Sequence, residues 1–150
     1  MLLLFSDGEA FATSSQPYFS RPLGPGDPSN RLIIDIEVAG LTTPAVVDTG
    51  APYLILDPAF AQVAGIGSTG FSSVDLSIRG HRTIGFLHRL DVVLKADRGK
   101  DVVIDSTVFV PEVGPGVWDL PSFVGWTGCL ERFRFAVDPV DETFYFGPWP

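Results

Sequence analysis

The sequence predicts an all-β domain, a small barrel or folded-over sandwich carrying one or two short helices. Three observations predict it. Beyond Asn30, apolar residues recur mostly with a period of two, the alternation of half-buried strands. The 16 glycines and 13 prolines are spread along the chain, so turns recur between short elements. The 150 residues are 45% hydrophobic against 19% charged, which is enough for one core and too apolar for a disordered chain.

Residues 1–30 read as an N-terminal arm, poorly structured or packed on the domain that residues 31–150 form. Gln16-Pro17-Tyr18-Phe19 is suited to packing, but Pro22, Gly24, Pro25, Gly26 and Pro28 forbid a helix or central strand after it. Leu32, Ile34, Ile36 and Val38 alternate as one strand, ended by Gly40. Thr42 to Val47 is a second, apolar on both faces at Ala45-Val46-Val47 as in a fully buried position. Tyr53 to Leu56 is a third. Asp57-Pro58 then offers a cap and a first-turn proline for a short helix over Ala59 to Ala64, closed by Gly65.

A strand over Ser72 to Ile78 places Val74, Leu76 and Ile78 on one face, and Arg79-Gly80-His81-Arg82 forms its turn. In the long return strand Ile84, Phe86, His88, Leu90, Val92 and Leu94 share a face. Asp97-Arg98-Gly99-Lys100 turns into a strand over Val102 to Val110. A loop over Pro111 to Pro121 follows, then a short helix over Gly128 to Phe133. Phe135 to Val137 pairs with Thr143 to Phe146, which is too apolar for a free edge and belongs in the core or at a subunit interface.

Charge and cysteine content exclude several functions. Ten Lys and Arg against 18 Asp and Glu give a net charge of −8, with no basic footprint for a nucleic-acid partner. The single cysteine, Cys129, rules out an intrachain disulfide and a cysteine-based zinc cluster. The apolar start at Met1 to Phe5 is broken by Asp7, Gly8 and Glu9 and lacks a basic flank, unlike a signal peptide. No run approaches the roughly eighteen apolar residues of a membrane span. These features predict a cytoplasmic protein with no membrane partner.

The residues with the strongest chemical context are Asp48-Thr49-Gly50-Ala51, directly after the most apolar strand. A carboxylate there sits at the mouth of the core, where desolvation and neighbouring charge act on protonation. The plain alternative is a turn in which Asp48 bonds its own backbone. Far downstream, Phe123-Val124-Gly125 gives two hydrophobic residues and a glycine ahead of a short helix. This pair of motifs, in this order and spacing, resembles the retropepsin-like aspartic proteases over about Arg31 to Gly147.

The resemblance implies a small closed β-barrel of the retropepsin type and an aspartic endopeptidase with Asp48 as its catalytic acid. Such enzymes use two aspartates and need no metal or organic cofactor. No second Asp-Thr/Ser-Gly is present: Asp105-Ser106-Thr107 lacks the glycine, and the chain is too short for two lobes. The expected partners are therefore a second copy of the chain, as a symmetric homodimer, and a peptide or protein substrate. By the resemblance, Thr49 braces the paired loops, Gly50 allows their close approach, and Ala51 fits the pattern, while Pro52 departs from it.

The family's mobile flap falls best on Leu76 to Phe86, with Ile78, Arg79, Gly80 and His81 around the tip. Gly67-Ser68-Thr69-Gly70 is an alternative tip, and either segment also suits a plain turn. His81 and His88 stand beside no nucleophile and lack metal-ligand spacing. Cys129 reads as core. Trp118, Trp126 and Trp149 read as buried or as subunit contacts, and Gly114-Pro115-Gly116 lacks the lysine and hydroxyl of a phosphate loop. Two rivals share the sequence: a non-catalytic peptide-binding or dimerisation module, and a glycosidase, for which no second acid has comparable context.

Overall fold

A computed structural model of the chain describes residues 3–67, 70–114 and 116–149. The N-terminal segment forms strands β1 (Leu3–Leu4), β2 (Ala10–Ala12), β3 (Ser14–Pro17) and β4 (Phe19–Arg21). Then follow β5 (Arg31–Val38), β6 (Leu41–Val47), β7 (Leu54–Ile55), helix α1 (Pro58–Val63), β8 (Ser72–Ile78), β9 (His81–Leu94) and β10 (Val102–Pro111). The chain ends with β11 (Ser122–Val124), one 3-10 turn over Leu130–Arg132, β12 (Arg134–Asp138) and β13 (Thr143–Gly147). No helix among these residues is long and apolar enough to cross a membrane.

The main sheet has eight strands in the order β4-β5-β6-β11-β7-β10-β9-β8. An additional β5–β9 pairing links six of them into a ring and leaves β4 and β8 as flanks, so the expected closed barrel is ring-like only in part. The main core fills this ring with Ile34, Ile36, Leu54, Leu56, Val92, Leu94 and Leu130, joined by Phe144 and Phe146 from the second sheet. A smaller cluster of Ile33, Val46, Ile55, Ile78, Leu87, Phe109 and Phe123 lies on the other face. Strand β9 serves both clusters. Val92 and Leu94 enter the main core, whereas Leu87, one residue out of phase, enters the smaller one and Ile84 is left exposed.

Asp57 caps α1 as its sequence implies: its Oδ1 accepts from the Ala59 N–H at 2.9 Å, and Gly65 leaves the helix with a φ of 76°. The second expected helix is shorter than Gly128 to Phe133, because only Leu130–Arg132 is helical and Trp126 to Cys129 form a turn ahead of it.

Of the two readings of the N-terminal arm, strand pairing matches the one in which it packs on the domain. Strand β3 lies antiparallel to β13, and β4 to β5. Buried Gln16 explains how so polar a segment packs. Its Nε2 donates to the carbonyls of Asp35 (2.9 Å) and Lys95 (3.1 Å), and its Oε1 accepts from the Asp35 N–H (2.9 Å). Both polar atoms of the Gln16 side chain therefore have partners. The Arg134 guanidinium sits over the rings of Phe5 and Phe11 and donates to the Ala10 carbonyl at 3.0 Å, pinning the β1–β2 hairpin. Residues 22–30 form the irregular segment that their prolines and glycines dictate.

Strand β13 runs between β12 and β3, so both of its hydrogen-bonding edges are filled within one chain. Phe144 and Phe146 are fully buried, and Phe144 stacks on Phe135 at 5.9 Å between centroids. Of the two places expected for the terminal strand, it occupies the core.

Candidate active site

Three short pieces of chain converge at the end of β6. Strand β11 lies parallel to β6, pairing Phe123 with Val46 and Val124 with Val47. On its other side it runs antiparallel to β7, pairing Phe123 with Ile55 and Val124 with Leu54. The chain therefore leaves β6 at Asp48 beside the point where it leaves β11 at Gly125, and the Asp48 N–H donates to the Val124 carbonyl at 3.0 Å. The next turn is ordered by Asp48 itself. Its Oδ1 accepts from the Gly50 N–H at 2.9 Å and its carbonyl from the Ala51 N–H at 3.1 Å. The plain turn and the projecting acid are one arrangement.

Gly125 makes the convergence possible. A Cβ there would lie 2.0 Å from the Tyr53 carbonyl oxygen and 2.5 Å from that of Ala51. The same Ala51 carbonyl accepts from the Trp126 N–H at 2.8 Å, so the backbones after β6 and after β11 are tied together. Tyr53, with a φ of 61°, holds a left-handed conformation that bulky residues rarely adopt.

Asp48 is half-buried, while Thr49 and Gly50 are exposed. Asp48 opens onto a cleft of about 100 Å³ with Ala51, Ile55, Ile78, Arg79 and Phe123. The β8–β9 hairpin thus reaches over the carboxylate. Its turn has two residues, Arg79 (φ 51°) and Gly80 (φ 81°), both left-handed as a type I′ hairpin turn requires. Of the four residues expected at a flap tip, Ile78 and Arg79 line the Asp48 cleft. Gly80 and His81 are exposed, and His81 borders an adjoining groove of about 670 Å³ with Arg82, Glu112, Trp118 and Asp119. The alternative tip includes Ser68 and Thr69, which lie outside the described residues, as does Pro115 of the Gly114-Pro115-Gly116 segment.

Sequence reading missed Arg31. The β5–β6 register pairs Ile33 with Val46, and carried two residues further it sets Arg31 opposite Asp48. Arg31 is held by Asp27, through Nε to Oδ2 at 3.1 Å and Nη2 to Oδ1 at 3.0 Å. Asp27 also accepts from the N–H groups of Leu23 (3.0 Å) and Ser29 (3.2 Å), which fixes the loop ahead of β5. The Asp27 carboxyl is held well below the usual carboxylate range, chiefly by the hydrogen bonds from Arg31 and from the Leu23 backbone. The Arg31 guanidinium is pushed up, first by Asp27, with the Asp48 charge adding to it. The one available signal was the register itself, and it depends on knowing where the β5–β6 turn lies.

The other candidates stand apart. Burial pushes the His88 imidazole below its ordinary range, and its Nε2 has no hydrogen-bond partner. Trp118 packs against the smaller cluster, whereas Trp126 and Trp149 are exposed. Cys129 is buried in the main core, and burial pushes its thiol up to about 11. The folded value exceeds the unfolded one near 9, so this contribution to stability is whole below pH 9 and is lost as pH rises through 11. Native protein at pH 8 is expected to leave a thiol reagent such as Ellman's unreacted until urea unfolds it. Rapid stoichiometric labelling without denaturant would contradict that burial.

Two solved structures share this architecture. A crystal structure of a retropepsin-like aspartic protease from Rickettsia conorii matches with a TM-score of 0.54 and 22% identity, over 89% of this chain and 92% of that one. The retroviral protease-like domain of Ddi1 from Leishmania major matches with a TM-score of 0.54 and 14% identity, over 80% of this chain and 94% of that one. No protein-family model matches the chain, and no curated protein matches its sequence. The chain has a retropepsin-like fold, mostly β with a partly ring-like sheet.

Proposed function

We propose that the protein is an aspartic endopeptidase in which Asp48 from each of two chains meets its counterpart across a two-fold axis. The observation that carries this reading is the place of Asp48. It stands at the end of β6, next to the glycine that ends β11, in a cleft covered by a hairpin tip. Two carboxyl groups that close cannot both ionise cheaply, so they share one proton. The ionised one takes a proton from a water as the water attacks the peptide carbonyl, and the other donates to the carbonyl oxygen. The tetrahedral intermediate then collapses, with a proton passing to the leaving amine.

This reading calls for a second chain, since Asp48 is the one carboxylate among the described residues lining its cleft. With both edges of β13 filled, this reading puts the contact at the exposed Thr49 and Gly50 and at Trp126 beside them. An extended peptide would lie between the Asp48 pair and the hairpins, bonded through its main chain. Incubation with an unstructured protein, with and without pepstatin, tests the reading on one gel. Fragments that appear only without pepstatin are expected. Peptide bound with no turnover between pH 4 and 7 would instead identify a non-catalytic binding module.

A further inference from the structure

The surroundings of Asp48 are unlike the rest of the molecule in charge. The chain has ten Lys and Arg against 18 Asp and Glu, yet four of the ten, Arg21, Arg31, Arg79 and Arg82, border the Asp48 cleft, the grooves beside it or Asp48 itself. Two of them are neutralised in place, Arg31 by Asp27 at 3.0 Å and Arg82 by Asp75 at 2.8 Å. Arg79 lies over the Phe123 ring. Arg21 is exposed, and among the described residues neither a carboxylate nor an aromatic ring meets its guanidinium.

Strand pairing fixes where Arg21 stands. The β4–β5 register sets it opposite Arg31, and Arg31 stands opposite Asp48, so the three form one row across β4, β5 and β6. Residues paired across strands share a face of the sheet. Arg21 accordingly borders a groove with Leu23, Ile33, Val46 and Leu120, of which Val46 is two residues from Asp48 on the same strand face. Asp119 borders this groove too, and forms no ion pair with Arg21 among the described residues. Neighbouring strands lie about 4.8 Å apart, so the Arg21 backbone is about 10 Å from Asp48 along the row. An extended chain advances about 3.3 Å per residue, which makes that span about three residues.

We propose that Arg21 selects acidic substrates, with a Glu or Asp about three residues from the scissile bond placing its carboxylate on the Arg21 guanidinium. This rests on the reading of Asp48 as one of a catalytic pair, whose two-fold axis repeats Arg21 on the other side of the bond. The favoured class is therefore an extended peptide with an acidic residue on each side of the bond that is cut. Asp119 repels the same residue, which sharpens the choice. Without the arginine, the groove would hold a carboxylate alone and would turn such a peptide away.

The test uses the full chain and an unstructured peptide with Glu, Gln or Lys at the third residue on each side of a central Leu-Phe bond. Cleavage by wild type, and binding to Asp48→Asn followed by fluorescence anisotropy of labelled peptide, are expected to rank Glu above Gln above Lys. An exposed charge pair contributes about threefold, so Glu on both sides gains about tenfold over Gln in kcat/KM and in Kd. At about 0.5 M salt the gap shrinks to about twofold or less. Arg21→Gln closes it, and Asp119→Asn widens it by about threefold. Arg98→Gln removes an equal charge from the exposed β9–β10 turn, which borders neither groove, and leaves the gap unchanged.

A ranking that is absent, or that survives in Arg21→Gln, would overturn the proposal, as would an equal loss in Arg98→Gln. Cleavage without the ranking would leave the protease standing and remove the acidic preference. The ranking in binding, with no peptide cleaved, would leave Arg21 as a recognition residue and remove the protease. Neither binding nor cleavage of any peptide would remove both.

Discussion

In Asp48→Asn the proposed peptide cleavage is expected to fall to the uncatalysed background, a loss of about 10⁴-fold or more. The substitution keeps shape and an acceptor oxygen for the Gly50 N–H but offers no group that can take a proton from water. Asp48 lies at the mouth of the core, with its backbone held by Val124 and Ala51, so the fold does not depend on its charge. Removing two facing carboxyl groups also removes a repulsion, and dimerisation should hold or tighten. Steady-state cleavage and sedimentation velocity on the same preparation check both halves. Undiminished cleavage by the variant would end the proposed mechanism. Lost cleavage together with a change from dimer to monomer would show that the substitution had acted on assembly instead.

The second large effect belongs to Gly125→Ala. The added methyl would meet the Tyr53 and Ala51 carbonyl oxygens at 2.0 and 2.5 Å, and neither is a flexible side-chain end. One backbone must move, at a cost of about 3 kcal/mol or more, the upper range for overpacking a close contact. The move would also break the Trp126 to Ala51 hydrogen bond and shift the loop that presents Asp48. Urea unfolding is expected to show a free energy of unfolding lowered by that amount, and so a lower midpoint, with cleavage lost even where the variant remains folded. A variant with wild-type stability and activity would show that this approach is not tight.

Much of this was legible from sequence where local pattern and final environment agree. Strand β8 matches its alternating Val74, Leu76 and Ile78, and β12 pairs with β13 as expected of Phe135 to Val137 and Thr143 to Phe146. Asp57-Pro58 starts the helix because capping is a local interaction. The Asp48 and Gly125 motifs could be located, but not what lies against them. The wedge of β11 between β6 and β7 joins segments some seventy residues apart, and no periodicity records that.

What holds Ser14 and Gln16 could not be read for a related reason. They are polar and buried, and the backbone groups of Asp35, Lys95 and Lys100 bond their side chains. Arg31 was silent because its partner Asp27 sits in a loop whose course the sequence leaves open.

The zipper between β3 and β13 has a consequence for handling the molecule. A version trimmed to start near Tyr18 would strip one side of the Phe144–Phe146 strand and bare a row of main-chain donors and acceptors flanked by aromatic rings. Ribbons of that kind stack on one another. Strand β3 therefore acts as a guard rail against fibre-like stacking, and anyone shortening the chain should expect solubility to fail first.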